Sequence, residues 1–374
     1  MEMNMKRTRS SSRVVRFGVF AAAFGLSLTM VACSSATNGN ESSSSPAPST
    51  SESSASSPSS QSSGDAAQST SGETTSESSS KPAVEPHSVS IIANWLPQAS
   101  QGGYWQAAAE GLGKDDGITI EMKSGGPGIQ TVTNVAIGDA DYGMTAADNI
   151  YMARSQGIPV VGIFAPLDGS EQCLMSHPSA NVKDFADLNG KKLSVAPAGT
   201  YWKYIQKKYN IKTAAEMPPV SMANWNEDPN MVLQCMYGAE AFTAKQKGFD
   251  ANFLMISKSG YNPYTQVLFT TENRLRDHPD EAAVVVKAVA KGWDQFLNGQ
   301  EGPGVDMILS KNPDYTKDAA MFDVKIMAGM QTKPMGAMDP QRWKETYDAL
   351  ASVDLINKSV AWDSAFSTKF LPAS

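Results

Sequence analysis

The chain has 374 residues, of which 41% are hydrophobic and 18% are charged, and this is enough for about two domains with cores of their own. The formal net charge is −7, and five of the 31 basic residues lie within the first 16 positions, so the rest of the chain is more acidic still. Phosphate backbones would repel it, and nucleic acid is therefore disfavoured as a partner. Three cysteines are too few for a disulfide-rich scaffold, and a mean hydropathy of −0.30 excludes a polytopic membrane protein.

The N-terminal segment has the layout of an export signal. Residues 1–16 are cationic, residues 17–31 form an uncharged apolar run, and Cys33 follows almost at once. The run is shorter than the roughly 20 apolar residues that span a membrane as a helix, so residues 1–32 are predicted to be a cleaved signal peptide. An uncleaved anchor helix is the alternative.

Residues 33–86 have the composition of a linker. They are mostly Ser, with Thr, Ala, Pro, Gly and Glu, and they include no aromatic residue. Such a segment cannot bury enough apolar surface to offset the entropy of ordering, which predicts a disordered tether with a reach of about 40 Å. A glycosylated stalk is the alternative.

From residue 87 onward, short apolar runs alternate with helical patterns. The first block predicts strands over 89–94, 118–123, 142–145 and 160–165 and helices over 103–112, 130–137 and 148–156. The second block predicts strands over 193–196, 231–236 and 252–257 and helices over 184–190, 202–209 and 239–246. Helices over 281–297, 305–309, 318–326, 340–352 and 364–370 follow. This alternation indicates an α/β fold with mainly parallel sheets flanked by helices.

Several polar and aromatic residues lie just after predicted strands, at the edge where open α/β sheets bind ligands. Trp95 either stacks on a flat solute or packs in the core. Asp148 either accepts a hydrogen bond from a ligand or caps a helix. The glycine-rich turn at Gly126 either contacts a ligand or is a simple connection.

An ordered set of short motifs resembles one family. The motifs are Asn94-Trp95-Leu96-Pro97, Gly102-Gly103-Tyr104-Trp105-Gln106-Ala107, Gly125-Gly126-Pro127, residues 138–144 and 153–161, Asp187-Leu188-Asn189-Gly190-Lys191-Lys192 and Val289-Ala290-Lys291-Gly292-Trp293. Together they resemble the solute-binding proteins of ABC importers in the nitrate, sulfonate, taurine and thiamine-pyrimidine precursor group. Separately, Met30-Val31-Ala32-Cys33 resembles a bacterial lipobox, which implies that Cys33 is acylated.

The family resemblance implies a two-lobed, type II periplasmic-binding-protein fold that closes on a solute. Residues 87–170 are expected to begin lobe 1, residues 171–271 to form lobe 2, and residues 272–374 to complete lobe 1. It also implies a monomer without a cofactor or metal that hands a small molecule to an ABC permease and its ATPase. The lipid on Cys33 would hold it on the extracytoplasmic side of the cell membrane.

The residues proposed to contact the ligand are mainly aromatic, acidic or amide-bearing. They are Asn94, Trp95, Tyr104, Gly126, Thr145, Asp148, Trp225, Glu240 and Tyr261. Glu240 matches the position where pyrimidine-binding relatives place a ligand-binding acid; a glutamate that only stabilises a helix start is the alternative. Because arginine is scarce after the signal, we expect a flat, neutral or weakly cationic nitrogen heterocycle such as a thiamine pyrimidine precursor. Sulfonate-type or nitrate-type anions and riboflavin are the alternatives.

An enzyme of the pyrimidine-synthase type is the alternative from another functional class. The three histidines are far apart, and neither Gly-x-Ser-x-Gly nor Cys-x-x-Cys occurs. The fungal synthases that share this fold carry a cysteine cluster that this chain lacks, so no catalysis is expected. Cys173 and Cys235 are expected either to form a disulfide or to remain two buried thiols.

Overall fold

A computed structural model describes residues 84–197, 199–218 and 220–372. The predicted signal peptide, Cys33 and the predicted linker up to residue 83 lie outside the described residues. The strands are β1 (His87–Ile92), β2 (Ile118–Lys123), β3 (Tyr142–Thr145), β4 (Val160–Phe164), β5 (Gln172–Ser176), β6 (Lys192–Ser194), β7 (Ala215–Met217), β8 (Met231–Met236), β9 (Asn252–Met255) and β10 (Val267–Thr271).

Eleven α-helices accompany these strands in the described part of the chain. They are α1 (Gly102–Glu110), α2 (Thr131–Ala136), α3 (Ala147–Ser155), α4 (Thr200–Lys208), α5 (Met222–Glu227), α6 (Tyr237–Lys247), α7 (Glu272–Asp277), α8 (Pro279–Leu297), α9 (Gly302–Lys311), α10 (Lys317–Ala328) and α11 (Pro340–Ser352). The predicted helices over 184–190 and 364–370 are short 3-10 turns instead, at Phe185–Leu188 and Trp362–Ala365. Within the described ranges, no helix is both long and apolar enough to cross a membrane.

The strands form two five-stranded sheets with equivalent orders. The first sheet is ordered β2-β1-β3-β10-β4 and the second β7-β6-β8-β5-β9. In the first sheet β10 is antiparallel to both of its neighbours, and in the second β5 is antiparallel to both of its neighbours. The other four strands of each sheet run in one direction, so the predicted α/β fold with mainly parallel sheets is confirmed.

The chain crosses between the sheets twice, after β4 and after β9. We call the first sheet with α1–α3 and α7–α11 lobe 1, and the second sheet with α4–α6 lobe 2. The predicted lobe boundary at residue 271 is wrong, because β10 (Val267–Thr271) pairs with β3 and β4 in lobe 1. Val267, Leu268 and Phe269 are fully buried there, and an apolar run of this kind does not indicate which sheet it joins.

Lobe 1 has an extensive core in which α8 packs against α1. The predicted apolar face of α8, at Ala282, Val285, Val286, Val289, Trp293 and Phe296, is buried as expected. Glycines make the close approach of the two helices possible: a Cβ on Gly103 would stand 2.1 Å from the Trp293 ring, and a Cβ on Gly292 would stand 2.3 Å from the Gly103 carbonyl oxygen.

One face of lobe 2 is covered by a much smaller core. Its six buried residues are Cys173, Met175, Trp225, Met231, Leu233 and Cys235. Cys173 and Cys235 lie directly opposite each other on the antiparallel strands β5 and β8, and their sulfurs are bonded. Of the two arrangements expected from the sequence, the structure therefore has the disulfide.

Candidate functional site

A cavity of about 400 Å³ lies between the lobes, and we call it the interlobe cavity. Its walls are Asn94, Trp95, Gln98, Ser100 and Gln266 on the side of lobe 1 and Gln172, Gln234, Cys235, Met236, Ala239 and Glu240 on the side of lobe 2. Asn94 and Trp95 follow β1, while Gln234 to Met236 end β8. The cavity therefore lies beyond the carboxyl ends of strands from both sheets, where open α/β folds bind ligands.

The amides on the lobe 1 wall are fixed by hydrogen bonds. Gln101 Nε2 donates to Asn94 Oδ1 (3.0 Å), and Asn94 Nδ2 donates to Gln266 Oε1 (3.3 Å). The Tyr104 hydroxyl donates to the main-chain oxygen of Gln266 (2.6 Å). These bonds hold Asn94 and Gln266 in one arrangement, which lowers the entropic cost of binding a polar solute.

The lobe 2 wall supplies one amide and one carboxyl group. Gln234 Oε1 accepts from the Ala196 N–H (2.7 Å) and the Tyr201 hydroxyl (2.8 Å), which leaves its NH₂ group as a donor toward the cavity. Glu240 Oε2 accepts from the Met236 N–H (2.7 Å). Burial raises the pKa of Glu240, and the charge of Asp323 raises it further. Glu240 can therefore accept a hydrogen bond when ionised and donate one when protonated.

A second cavity of about 410 Å³ lies in lobe 1 between α2 and α3, and it shares Asn94 with the interlobe cavity. Its other walls are Ile129, Gln130, Thr131, Val132, Thr133, Thr145, Ala146, Asn149, Met152, Ala153, Gln156 and Ile158. No lysine, arginine or histidine occurs among the described residues that line either cavity. Neither cavity thus offers a side-chain cation to an anionic solute.

Four of the nine residues predicted to contact a ligand line these cavities. Asn94, Trp95 and Glu240 come together in the interlobe cavity, where 45% of Trp95 is exposed, and Thr145 lines the second cavity. Gly126 lies outside both walls, next to the side chain of Leu96, which follows Trp95.

The other predicted residues are buried away from both cavities. Trp225 stacks on His177 in the lobe 2 core, with ring centroids 3.8 Å apart. Tyr104 is fully buried beneath Gln266, and Tyr261 is 1% exposed. In each case the aromatic ring packs in the core, and ligand contact by these residues stays a prediction that their burial disfavours.

Asp148 joins the lobes. Its Oδ2 accepts from the Tyr261 hydroxyl (2.6 Å) and from the hydroxyl of Thr200, the first residue of α4 in lobe 2. Ala146, not Asp148, is the N-cap residue of α3; Asp148 lies in the first turn, where its Oδ1 accepts from the Asn149 N–H (2.9 Å). Since Asp148 belongs to α3 in lobe 1, its carboxylate forms a hydrogen-bonded contact between the lobes.

The sequence reasoning missed the glutamines of the interlobe cavity, Gln98, Gln172, Gln234 and Gln266. One signal was present: Gln234 is the only polar residue of the apolar strand β8. A polar residue inside such a run is expected to have a partner or a function, because burying an unpaired amide is costly. In the described part of the chain, no group of three or more His, Cys, Asp or Glu residues is placed to hold a metal ion.

The two lobes and the cavity between them define a fold shared with periplasmic binding proteins. The chain is similar to the periplasmic aliphatic sulphonate binding protein SsuA from Escherichia coli, with a TM-score of 0.61 and 11% identity over 78% of this chain and 95% of that one. It is also similar to the alkanesulfonate-binding protein SsuA from Xanthomonas axonopodis pv. citri bound to MOPS, with a TM-score of 0.58 and 13% identity over 76% of this chain and 99% of that one.

The chain belongs to the NMT1/THI5-like family, whose family model matches residues 98–302, more than half of its length. The resemblance drawn from the sequence motifs is thereby confirmed. Among curated proteins, the chain is similar to the 4-amino-5-hydroxymethyl-2-methylpyrimidine phosphate synthase THI11 from Saccharomyces cerevisiae. The two are 24% identical over an alignment of 229 positions, which covers 56% of this chain and 67% of that protein.

Proposed function

We propose that the protein is the solute-binding component of an ABC import system and that it binds a small planar nitrogen heterocycle in the interlobe cavity. A thiamine pyrimidine precursor is the proposed solute, which the protein would pass unchanged to a permease and its ATPase. We further propose that it acts as a monomer, held on the extracytoplasmic side of the membrane by a lipid on Cys33.

The observation that carries this proposal is the chemistry of the cavity walls. They combine one carboxyl group, Glu240, with the exposed ring of Trp95 and the amides of Asn94, Gln172 and Gln234. An aminopyrimidine presents a flat face for an aromatic ring and an edge of alternating N–H donors and ring-nitrogen acceptors, which amides and a carboxyl group can match.

The same walls argue against a sulfonate or nitrate. An anion in a buried site needs Arg, Lys or several N–H donors, because its desolvation must be offset. The described lining of the cavity has no side-chain cation, and Glu240 would repel an anion when ionised. This supports a solute different from those named for the structurally similar sulfonate-binding proteins.

A synthase activity is the second candidate, favoured by the name of the curated yeast relative. The cysteines favour a binding role: the chain has three, of which Cys173 and Cys235 are bonded to each other and Cys33 belongs to the predicted lipobox. Formation of 4-amino-5-hydroxymethyl-2-methylpyrimidine phosphate by the purified protein would overturn the binding role.

The test is calorimetric titration with 4-amino-5-hydroxymethyl-2-methylpyrimidine, taurine and nitrate. We expect tight binding of the pyrimidine alone. Glu240→Gln should weaken it by about 10-fold to 100-fold, because a charge-assisted hydrogen bond contributes about 1.5–3 kcal/mol. Glu121→Gln, at an exposed position of β2, is the matched control and should bind like the wild type. Binding of the anions without the pyrimidine would exclude the proposed solute.

A further inference from the structure

Two buried carboxyl groups from different lobes meet behind the interlobe cavity. Glu171 immediately precedes β5 of lobe 2 and is 4% exposed, while Asp323 belongs to α10 of lobe 1 and is 5% exposed. Both approach Gly238 near the start of α6. A Cβ on Gly238 would stand 2.0 Å from Asp323 Oδ1 and 3.0 Å from Glu171 Oε1, so the two oxygens share the space that a side chain would fill.

These two oxygens are the unsatisfied ones. Neither Glu171 Oε1 nor Asp323 Oδ1 has a hydrogen-bond partner among the described residues, whereas Asp323 Oδ2 accepts from the Tyr315 hydroxyl (2.5 Å). Two ionised carboxyl groups that each keep one oxygen without a donor are strongly unfavourable in a buried site, and one proton shared between them would supply a donor and remove one charge.

The surrounding charges do not neutralise the pair. Burial and the charge of Asp323 raise the pKa of Glu171 to about 8, against the opposing effect of the Gly238 N–H, and burial raises that of Asp323 to about 6. Glu240, the other charged group that faces the pair, is also acidic. The other charged residues of α6, α9 and α10 are exposed, and so are three charged residues of α8. They are Lys245, Lys247, Asp306, Lys311, Lys317, Asp318 and Lys325, with Lys287, Lys291 and Asp294 on α8.

The pair touches three segments of the cavity wall. Glu171 precedes Gln172, and Gly238 precedes Ala239, both of which line the cavity. Tyr315, the partner of Asp323, also accepts from the Ala99 N–H (3.4 Å), between the lining residues Gln98 and Ser100. A change of charge at the pair therefore acts directly on the walls that hold the solute.

We propose that Glu171 and Asp323 together bind one proton, that this proton maintains the contact between α6 and α10, and that its loss weakens solute binding in the interlobe cavity. The last step rests on the proposed function. Above about pH 8 both groups are ionised, the two lobes repel each other at this contact, and the solute dissociates more readily. By linkage, binding of the solute would favour uptake of the proton.

The first experiment uses no ligand. Infrared spectroscopy of the full chain should show the carbonyl band of a protonated carboxyl group at neutral pH, and this band should disappear as the pH rises through about 8. Glu171→Gln keeps the shape of the side chain and supplies a donor to Asp323. The spectrum of this variant should therefore lack the carbonyl band that disappears near pH 8 in the wild type. Because Glu240 also has a raised pKa, Glu240→Gln is the matched control and should keep it. Absence of the band in the wild type, or its persistence in Glu171→Gln, would overturn the proposal.

The second experiment measures the Kd of 4-amino-5-hydroxymethyl-2-methylpyrimidine across the same pH range. We expect the wild type to bind about 10-fold more weakly at about pH 9 than at about pH 7, and Glu171→Gln to change less than about 2-fold. Equal pH dependence in both proteins would contradict the coupling. If the pyrimidine does not bind at any pH, the proposed solute fails, and the infrared titration still decides whether the pair holds a proton.

Discussion

Lobe 1 and lobe 2 share one strand order but differ in what stabilises them. In each sheet the fourth strand in the order is antiparallel to its neighbours, so the two sheets have the same pattern of strand directions. The outer face of lobe 1 is covered by α1 and α8, whose glycines allow close helix packing. The corresponding core of lobe 2 has only six buried residues, and two of these are the bonded cysteines. The same topology is thus compatible with very different local sources of stability.

The disulfide of lobe 2 gives the largest expected effect. Replacing both cysteines, Cys173→Ala with Cys235→Ala, should lower the free energy of unfolding by about 4 kcal/mol, since the bond closes a loop with a sequence separation of 62. Urea unfolding monitored by tryptophan fluorescence measures this loss. A loss below about 1 kcal/mol would show that the small core is sufficient without the bond, and the contrast between the lobes would fail.

The glycine contact of lobe 1 gives the next largest effect. Gly103→Ala places a Cβ against the Trp293 ring and main chain, so α1 and α8 must separate, at an expected cost of about 3 kcal/mol. Gly302→Ala, at the start of α9, is the matched control because its Cβ would meet no atom within 4 Å. Equal thermal unfolding of the two variants would show that the α1–α8 contact adapts without strain.

The fold was predictable from the sequence because its signals are local. The apolar spacing of α8 and the alternation of strands with helices depend on neighbouring residues, and they predicted α8 and seven of the ten strands, but not β5, β7 or β10. The strand β10 was not predicted, and neither was the sheet that it joins, because Val267 to Phe269 have the same pattern whichever sheet they enter. Partner choice between two buried sheets depends on the return path of the chain, which composition does not encode.

The candidate site was predictable only in part, for a similar reason. Trp95 was found because it follows a strand, and Glu240 because the family resemblance implies a ligand-binding acid at its position; both line the cavity. Trp225 and Tyr261 also lie near strand ends or loops, but tertiary packing buries their rings. Glu171 gave no sequence signal, since only the fold brings Asp323 from a distant helix against it.

A pH titration tests a charged contact in lobe 1, where His87 and Arg274 both contact the buried Glu281. The Glu85 carbonyl and then Glu281 raise the pKa of His87. A raised folded-state pKa contributes stability that is fully present below the unfolded value of about 6.5 and is lost as the pH rises through the folded value. The His87 side chain is 40% exposed, so solvent screening limits the contribution to below about 1 kcal/mol.

The measurement is the difference in free energy of unfolding between the wild type and His87→Gln from about pH 5.5 to about pH 8. Taking the difference removes the titration of Glu171, which changes stability in the same direction. We expect the wild type to exceed the variant at the acidic end and the two to converge at the alkaline end. A difference that does not depend on pH would mean that the His87 contact is not ionic.

The smallest effect is expected for an exposed ion pair between the lobes. Lys207 of α4 lies 2.8 Å from Asp354, which follows α11, and both side chains are more than half exposed. Water solvates both charges whether or not they pair, and holding two mobile side chains together offsets the attraction, so Lys207→Ala should leave the thermal unfolding midpoint unchanged. Asp148→Asn is the contrasting variant, because its buried carboxylate accepts hydrogen bonds from Thr200 and Tyr261, and it should lower the midpoint. If Lys207→Ala lowered the midpoint more than Asp148→Asn does, the surface ion pair, and not the buried contacts at Asp148, would be the main connection between the lobes.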